Sequence, residues 1–383
     1  MINSEAYFSS PVGSVGSQRW AELAGTSFMS SEEWLTYCAL EAEFSGAIHT
    51  TGPNGLGAVA VTAVDHCSNS LYRWDRILAE RGLASPPPCG LHIGPARGYQ
   101  GDFLCEDTDV IPDLVALGQE ACQEAVPRKL NRKAPVPFVG MYLKDHDVNH
   151  LTSHGLGSEP LLIALDAYIP VRGQNLDEFA EGLPRKRRHT VRKEHGEFLD
   201  AGYGTTSTLL KDSTRTVAEL NVEMQLRRGI VDDVDVTQGL FQQQAAIFGD
   251  KAHVEILHDK DGQSVGFMLW YDKGDTLYVR AVGFKEDKLV GASEYFNLTY
   301  YCAIEIAQDR GLNWVHAGIE ASKVKAIRGA ELRGLWLVDL STDSILLPYS
   351  DDIRLKNGQF IQQAVSTSPQ VGDALVGGAS LLL

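Results

Sequence analysis

Long apolar runs are absent from this chain: no stretch approaches the roughly 20 residues that a membrane-spanning helix needs. The opening residues, Met1 to Ala6, carry neither a basic start nor an apolar segment, which argues against export and for a cytoplasmic protein. Paired cysteine motifs are absent too. The six cysteines (Cys38, Cys67, Cys89, Cys105, Cys122 and Cys302) show no CxxC spacing, which excludes a zinc ribbon or disulfide framework and fits a reducing compartment. They read as small buried apolar side chains. Positive charge is scarce. A formal net charge of −16 excludes a general DNA binder, because phosphate contacts need Lys and Arg. One segment breaks this pattern, with six basic residues between Arg185 and Lys193, a patch able to recruit an anion locally.

What is present is an alternation of helix and strand signals with no repeat at solenoid spacing. A chain of 383 residues exceeds one ordinary core, so two domains are expected. The first half reads as mixed, with a helix opening at Ser30 to Glu33, a strand at Ala58 to Val64, a helix from Asp109 to Glu124 and a strand at Pro137 to Leu143. His146, His150 and His154 recur every fourth residue and would form one helical stripe. Asp147 stands where a zinc protease carries its glutamate, so a solvated helix face is expected and no metal site. The junction is placed near Gly155 to Pro160, giving domains 1–158 and 159–363. Residues 364–383, like the first ten or so, are expected to be flexible.

The second half is clearer. Leu161 to Leu165 is strand-like, and Asn175 with Glu178 forms a capping box for a short helix. Pro184 opens the basic helix, which stops at Gly202, and an amphipathic segment runs from Thr216 to Arg227. A three-strand meander over 253–282 turns at Asp259 to Gly262 and Asp272 to Asp275. A loop then leads to a long helix from Ser293 to Arg310 with Phe296, Tyr300, Ala303 and Ala307 inward. A strand at Trp314 to Gly318, a helix from Ser322 to Leu332 and a strand from Gly334 to Asp339 complete the pattern.

This element order from residue 253 onward resembles the GNAT acyltransferase core. The run from Leu183 to Lys193, continuing to Gly202 and Tyr203, resembles the basic helix pair that opens the second domain of Fem-like proteins. Tyr301 to Leu312, followed by Gly318 and Lys325 to Gly329, resembles the C-terminal signature of that group. The resemblance covers about residues 160–340. It implies a mixed α/β fold (α+β mixed sheet) of tandem GNAT-like domains, the first degenerate. Members include bacterial peptidyltransferases that use aminoacyl-tRNA and relatives known only as acetyltransferases.

In GNAT folds the loop before the long helix offers backbone N–H groups to the pyrophosphate of coenzyme A. Here that loop, Phe284 to Ser293, keeps only Gly291 and Ala292 as small residues and adds Glu286 and Asp287. The loop is thus a poor coenzyme A cradle, and the Fem-like resemblance implies aminoacyl-tRNA as the co-substrate, with acyl-coenzyme A as the alternative donor and no tightly bound cofactor. Amide formation needs a proton acceptor for the amine. The candidates are Glu320, His316 and Tyr300, with Glu294 beside them, and Glu320 is preferred because it follows the strand ending at Gly318. Substrate- or donor-binding candidates are Arg185, Arg188, Arg192, Lys193, Lys325, Arg328 and Gly291. The expected activity is transfer of an acyl or aminoacyl group to the amine of a small-molecule or peptide-like acceptor, with tRNA as a partner. A GNAT-like binding module without catalysis is the third alternative.

Overall fold

The computed structural model describes residues 10–40, 42, 44–53, 55–66 and 69–382. The first nine residues and Cys67 lie outside them. The chain forms two compact units, Met1–Asp166 with Leu332–Leu383, and Ala167–Glu331.

In the first unit β1 (Phe44–Gly52) and β2 (Gly55–Val64) form an antiparallel hairpin in register from Phe44 opposite Ala63 to Gly52 opposite Gly55. The last eight residues of β2, Ala-rich and Val-rich, are buried without alternation, as in a strand covered on both faces. On β2 lie β3 (Gly90–Ile93) and β4 (Phe103–Cys105), both antiparallel to it. β5 (Phe138–Lys144) runs parallel to β3. The helix Ile111–Gln123 covers this sheet, with Gly118 against Phe138. A Cβ at position 118 would come within 2.3 Å of the Phe138 ring, so only glycine allows that approach. The histidine stripe is broken. The helix after β5 ends at Ser153, and His154 lies beyond it, its Nδ1–H donating to the His150 carbonyl at 2.8 Å. Among the described residues no group of three or more His, Cys, Asp or Glu side chains could hold a metal.

The division into units falls within β6 (Leu161–Pro170). The second unit contains its last residues, then the short helix Leu176–Glu181 and the basic helix Arg185–Asp200. Asn175 accepts from the Glu178 N–H at 2.9 Å, and Glu178 reaches back to the N–H of Gln174, one residue before the cap. β7 (Gly204–Leu209), β8 (His253–His258), β9 (Ser264–Lys273) and β10 (Thr276–Phe284) form an antiparallel meander. Between β7 and β8 two helices, Leu210–Arg227 and Val234–Phe248, pack on each other, and the second is not foreseen from the sequence pattern. β11 (Trp314–Gly318) is parallel to β10 and antiparallel to β6. The parallel pairing spans only Thr276 to Tyr278 opposite Trp314 to His316. The register of β10 on β9 shifts just beyond, between Val279 and Ala281.

The expected long helix is interrupted. Glu294–Phe296 is one α-turn, Asn297–Tyr301 is a π-helical turn, and Cys302–Asp309 is α-helical again. The wider π turn turns all five of its residues inward. The helix expected to Leu332 stops at Ile327, and the chain re-enters the first unit as β12 (Glu331–Asp339), antiparallel to β5. The expected boundaries at 158/159 and 363/364 thus differ from the observed division, because Leu332–Leu383 belong to the first unit. The tail expected to be flexible is built in. Residues 350–367 and 369–374 are helical, and β13 (Leu375–Val376) pairs with β12. Val371, Ala374, Leu375 and Ala379 are buried, which supplies the apolar anchor that the tail's Ser and Gly content concealed.

Candidate functional site

The loop from Phe284 to Ser293 leads to the helix that GNAT folds use for anion binding. Ser293 is left-handed at φ 61°, a conformation that costs a residue with a Cβ roughly 1 kcal/mol. It places Glu294 beneath the loop. One carboxylate oxygen of Glu294 accepts from the backbone N–H of Val290 at 2.8 Å, that of Gly291 at 3.0 Å and the Tyr203 hydroxyl at 2.9 Å. Glu294 is 3% exposed. Burial raises its pKa, but the converging N–H groups and the Tyr203 hydroxyl more than offset this and hold it below the ordinary carboxylate range. Burial, and then the bond to Glu294, pushes the Tyr203 hydroxyl up to about 12, so it stays a donor. The N–H cradle is therefore filled by the protein's own carboxylate. Gly291 (φ 83°) makes the turn that aims its N–H at Glu294.

Arg328, expected to bind an anionic ligand, is committed to protein groups. Its guanidinium makes a two-pronged ion pair with Glu194 at 2.6 and 2.8 Å, and its other nitrogens donate to the Tyr301 hydroxyl and the Val324 carbonyl. It lies 3.5 Å above the centre of the Phe296 ring, and Tyr301 also donates to Glu194. A guanidinium so enclosed has no edge left for a ligand. Lys325 is buried and donates to the carbonyl of Gly318 at 2.8 Å, tying its helix to the end of β11.

The three expected proton acceptors are not brought together as one site. His316 on β11 is fully buried, between the rings of Tyr168 and Tyr278 at 4.9 and 5.2 Å. Tyr300 lies in the π turn with no exposure, and burial raises its hydroxyl far above the ordinary value. Both sit in the core, and neither reaches solvent. Glu320 is exposed, in the turn after β11, and is followed by Ala321 at φ 55°.

On the basic helix, Arg188 pairs with Glu181 at 2.8 Å, and Arg192 bridges Asp177 and Glu181 at 3.1 and 2.6 Å. Lys193 lies 3.6 Å from Glu197. Arg185 and Lys186 are exposed in the first turn. Four cations, Arg185 to Arg188, thus sit at the positive end of the helix dipole with no acidic residue in that turn. Each such placement costs about 0.3–1 kcal/mol, so folding alone does not favour it.

One arrangement has no counterpart in the sequence pattern. Asn297, buried at the start of the π turn, donates through Nδ2 to the carbonyls of Glu194 and Ser293, both at 3.0 Å. Its Oδ1 then faces Nδ1 of His195 at 3.1 Å. No motif joins residues 195 and 297, so only the fold shows the pair.

Residues 168–369 match the FemAB-like family, described as peptidoglycan biosynthesis/recognition. Among solved structures, FemX superposes with a TM-score of 0.56 at 11% identity, over 85% of this chain and 96% of that one. L-PGS from Bacillus licheniformis gives 0.51 at 12%, over 88% and 95%. The C-terminal domain of a candidate lysylphosphatidylglycerol synthetase from Agrobacterium fabrum gives 0.53 at 11%, over 88% and 96%. At such identities the likeness is one of fold, and the mixed α/β, Fem-like GNAT architecture expected from the sequence is the one observed. No curated protein matches the chain.

Proposed function

This chain belongs to the FemAB-like family, and on that premise we propose that it is an aminoacyltransferase that draws its donor from aminoacyl-tRNA. The aminoacyl ester is already activated. The enzyme's work is to hold it beside an amine, remove a proton from that amine and let the C–N bond form as the ester C–O bond breaks. A small-molecule or peptide-like amine is the proposed acceptor, in the cytoplasm, and the family's description in terms of peptidoglycan fits a peptide-like one.

The observation that carries the donor assignment is the filled cradle at Val290 and Gly291. A pyrophosphate brought there would meet the buried Glu294 carboxylate, and two like charges 4 Å apart repel by about 4 kcal/mol at the effective dielectric of a protein surface. The acyl-coenzyme A alternative loses both its donors and its electrostatics at that loop. The cationic first turn of the basic helix supports a polyanionic partner, because Arg185 and Lys186 remain exposed at a position unfavourable for helix stability. Arg188, Arg192 and Lys193 contribute to that surface, although neighbouring carboxylates partly neutralise them.

The test is an activity assay with RNase-treated enzyme and acyl-coenzyme A as the only donor. The proposal expects no amide product there, and product once aminoacyl-tRNA is supplied. Full activity in the RNase-treated reaction would overturn it.

A further inference from the structure

A cavity of about 460 Å³ opens beside the basic helix. Its lining includes Asn175, Leu176, Val191, His195, Gly196 and Glu305. Three of these residues carry features that the fold's own packing does not call for. Gly196 stands in the middle of a helix, where glycine costs about 1 kcal/mol relative to alanine, and a Cβ there would meet open space. Packing does not require a glycine at this position, and a side chain there would extend into open space. Glu305 is half-buried, its carboxyl is raised in pKa by desolvation, and it shares the lining with His195. His195 is held in one tautomer. Asn297 spends both Nδ2 hydrogens on carbonyls, so its Oδ1 must accept, and Nδ1 of His195 must carry the hydrogen. The neutral ring then keeps a lone pair on Nε2.

We infer that this cavity seats the acceptor amine, with Glu305 holding the ammonium, His195 Nε2 taking its proton and Asn297 positioning the imidazole. The inference rests on the aminoacyl-transfer reading above and deepens it. A cationic ligand is favoured because Arg192 and Asp177 in the lining pair with each other, which leaves Glu305 as the lining charge with no opposite partner in the lining. A cavity of this size takes a small amine or one residue of a peptide.

The ammonium gives its extra proton to Nε2, which passes it to solvent. The freed lone pair forms the C–N bond to the ester carbonyl of the aminoacyl donor. A second proton leaves that nitrogen through Nε2 and reaches the departing ribose oxygen as the C–O bond breaks. The products are an amide, a free hydroxyl on the tRNA and one proton.

The experiment uses the full chain labelled with 15N-histidine and L-alaninamide as the amine probe. NMR of the free protein is expected to show His195 as the Nδ1–H tautomer, and Asn297→Ala to lose that signature. Titrating L-alaninamide is expected to shift the His195 ring signals, and Glu305→Gln to weaken the response about ten- to a hundredfold, as expected when one charge-assisted hydrogen bond is removed. Gly196→Leu is the control against misfolding. It improves helix propensity while filling the cavity, so it should hold or raise the melting temperature and abolish the probe response. Aminoacyl-tRNA consumption is followed on the same samples. If the wild-type protein consumes none, the transferase reading fails. If it does, and Glu305→Gln and Gly196→Leu bind the probe and turn over as the wild type does, the cavity assignment is overturned while the reading stands.

Discussion

Replacing Glu294 by alanine removes one acceptor from three donors at once: the N–H groups of Val290 and Gly291 and the hydroxyl of Tyr203. Only the Tyr203 hydroxyl is a buried donor stranded by this change, at about 1–3 kcal/mol, because the Val290 N–H keeps the Tyr203 oxygen at 3.2 Å and Gly291 lies in an exposed turn that water reaches. A net loss of about 1.5 kcal/mol is expected, which lowers the melting temperature of a unit this size by roughly 3–6 °C. Glu294→Gln keeps an oxygen in place but exchanges charge-assisted bonds for neutral ones, so its loss should be about half as large. The two variants also separate in pH. A carboxylate whose folded pKa is depressed gives stability that is present above its unfolded pKa and disappears as the pH falls through the folded value. The wild type should therefore lose this contribution below the ordinary value of 4.5, whereas Glu294→Gln should show no such component. Emptying the cradle has a functional sign as well, since Glu294→Ala removes the carboxylate and frees the Gly291 N–H, leaving that of Val290 on the Tyr203 oxygen alone, and should bind inorganic pyrophosphate where the wild type does not. Thermal melts across this pH range and calorimetry with pyrophosphate read both effects. A Glu294→Ala protein as stable as the wild type, with no pyrophosphate heat, would refute the claim that the carboxylate fills an anion cradle.

The ion pair of Arg328 with Glu194 is buried, at 4% and 14% side-chain exposure, so Arg328→Met should cost about 3–5 kcal/mol by stranding the carboxylate. Urea denaturation of the single variants and of Arg328→Met/Glu194→Leu checks this, and the double variant should recover most of the loss. On the basic helix, Arg192→Ala should change stability by less than about 1 kcal/mol, because its partners are exposed. Arg185→Glu/Lys186→Glu should raise the melting temperature slightly, since anions suit a helix N-terminus, and weaken tRNA binding, lowering the slope of log affinity against log salt by about one for each phosphate no longer neutralised. Unchanged tRNA affinity in that variant would remove this helix from the donor surface.

Much of the second unit was legible because its strands are bounded by turn residues that have few other uses. Asp259 accepts from the N–H groups of Asp261 and Gln263, and Gly262 takes φ 77°, as a tight hairpin requires. The helix Val234–Phe248 was not, although Asp233 caps it and Phe241, Ala245 and Phe248 share its buried face. Its polar Gln run and central glycine masked the period. The π turn at Asn297 is invisible to a 3.6-residue pattern, since it depends on a side chain reaching two carbonyls. The site was legible in its loop and not in its partners. Weak phosphate chemistry at 284–293 could be read from Glu286 and Asp287, but the carboxylate that fills the cradle is Glu294, one residue beyond it. Arg328 and Lys325 looked like ligand cations because their partners, Glu194 and the Gly318 carbonyl, are distant or backbone groups that no composition signals.

The central claim is the choice of donor, and equilibrium binding of two donors to the unmodified protein tests it most directly. Coenzyme A and an aminoacyl-tRNA are titrated separately at matched ionic strength, the first by calorimetry and the second by fluorescence with a salt series. The account predicts no coenzyme A heat at millimolar concentration and tRNA binding that weakens steeply with salt. Saturable coenzyme A binding without any tRNA binding would contradict it.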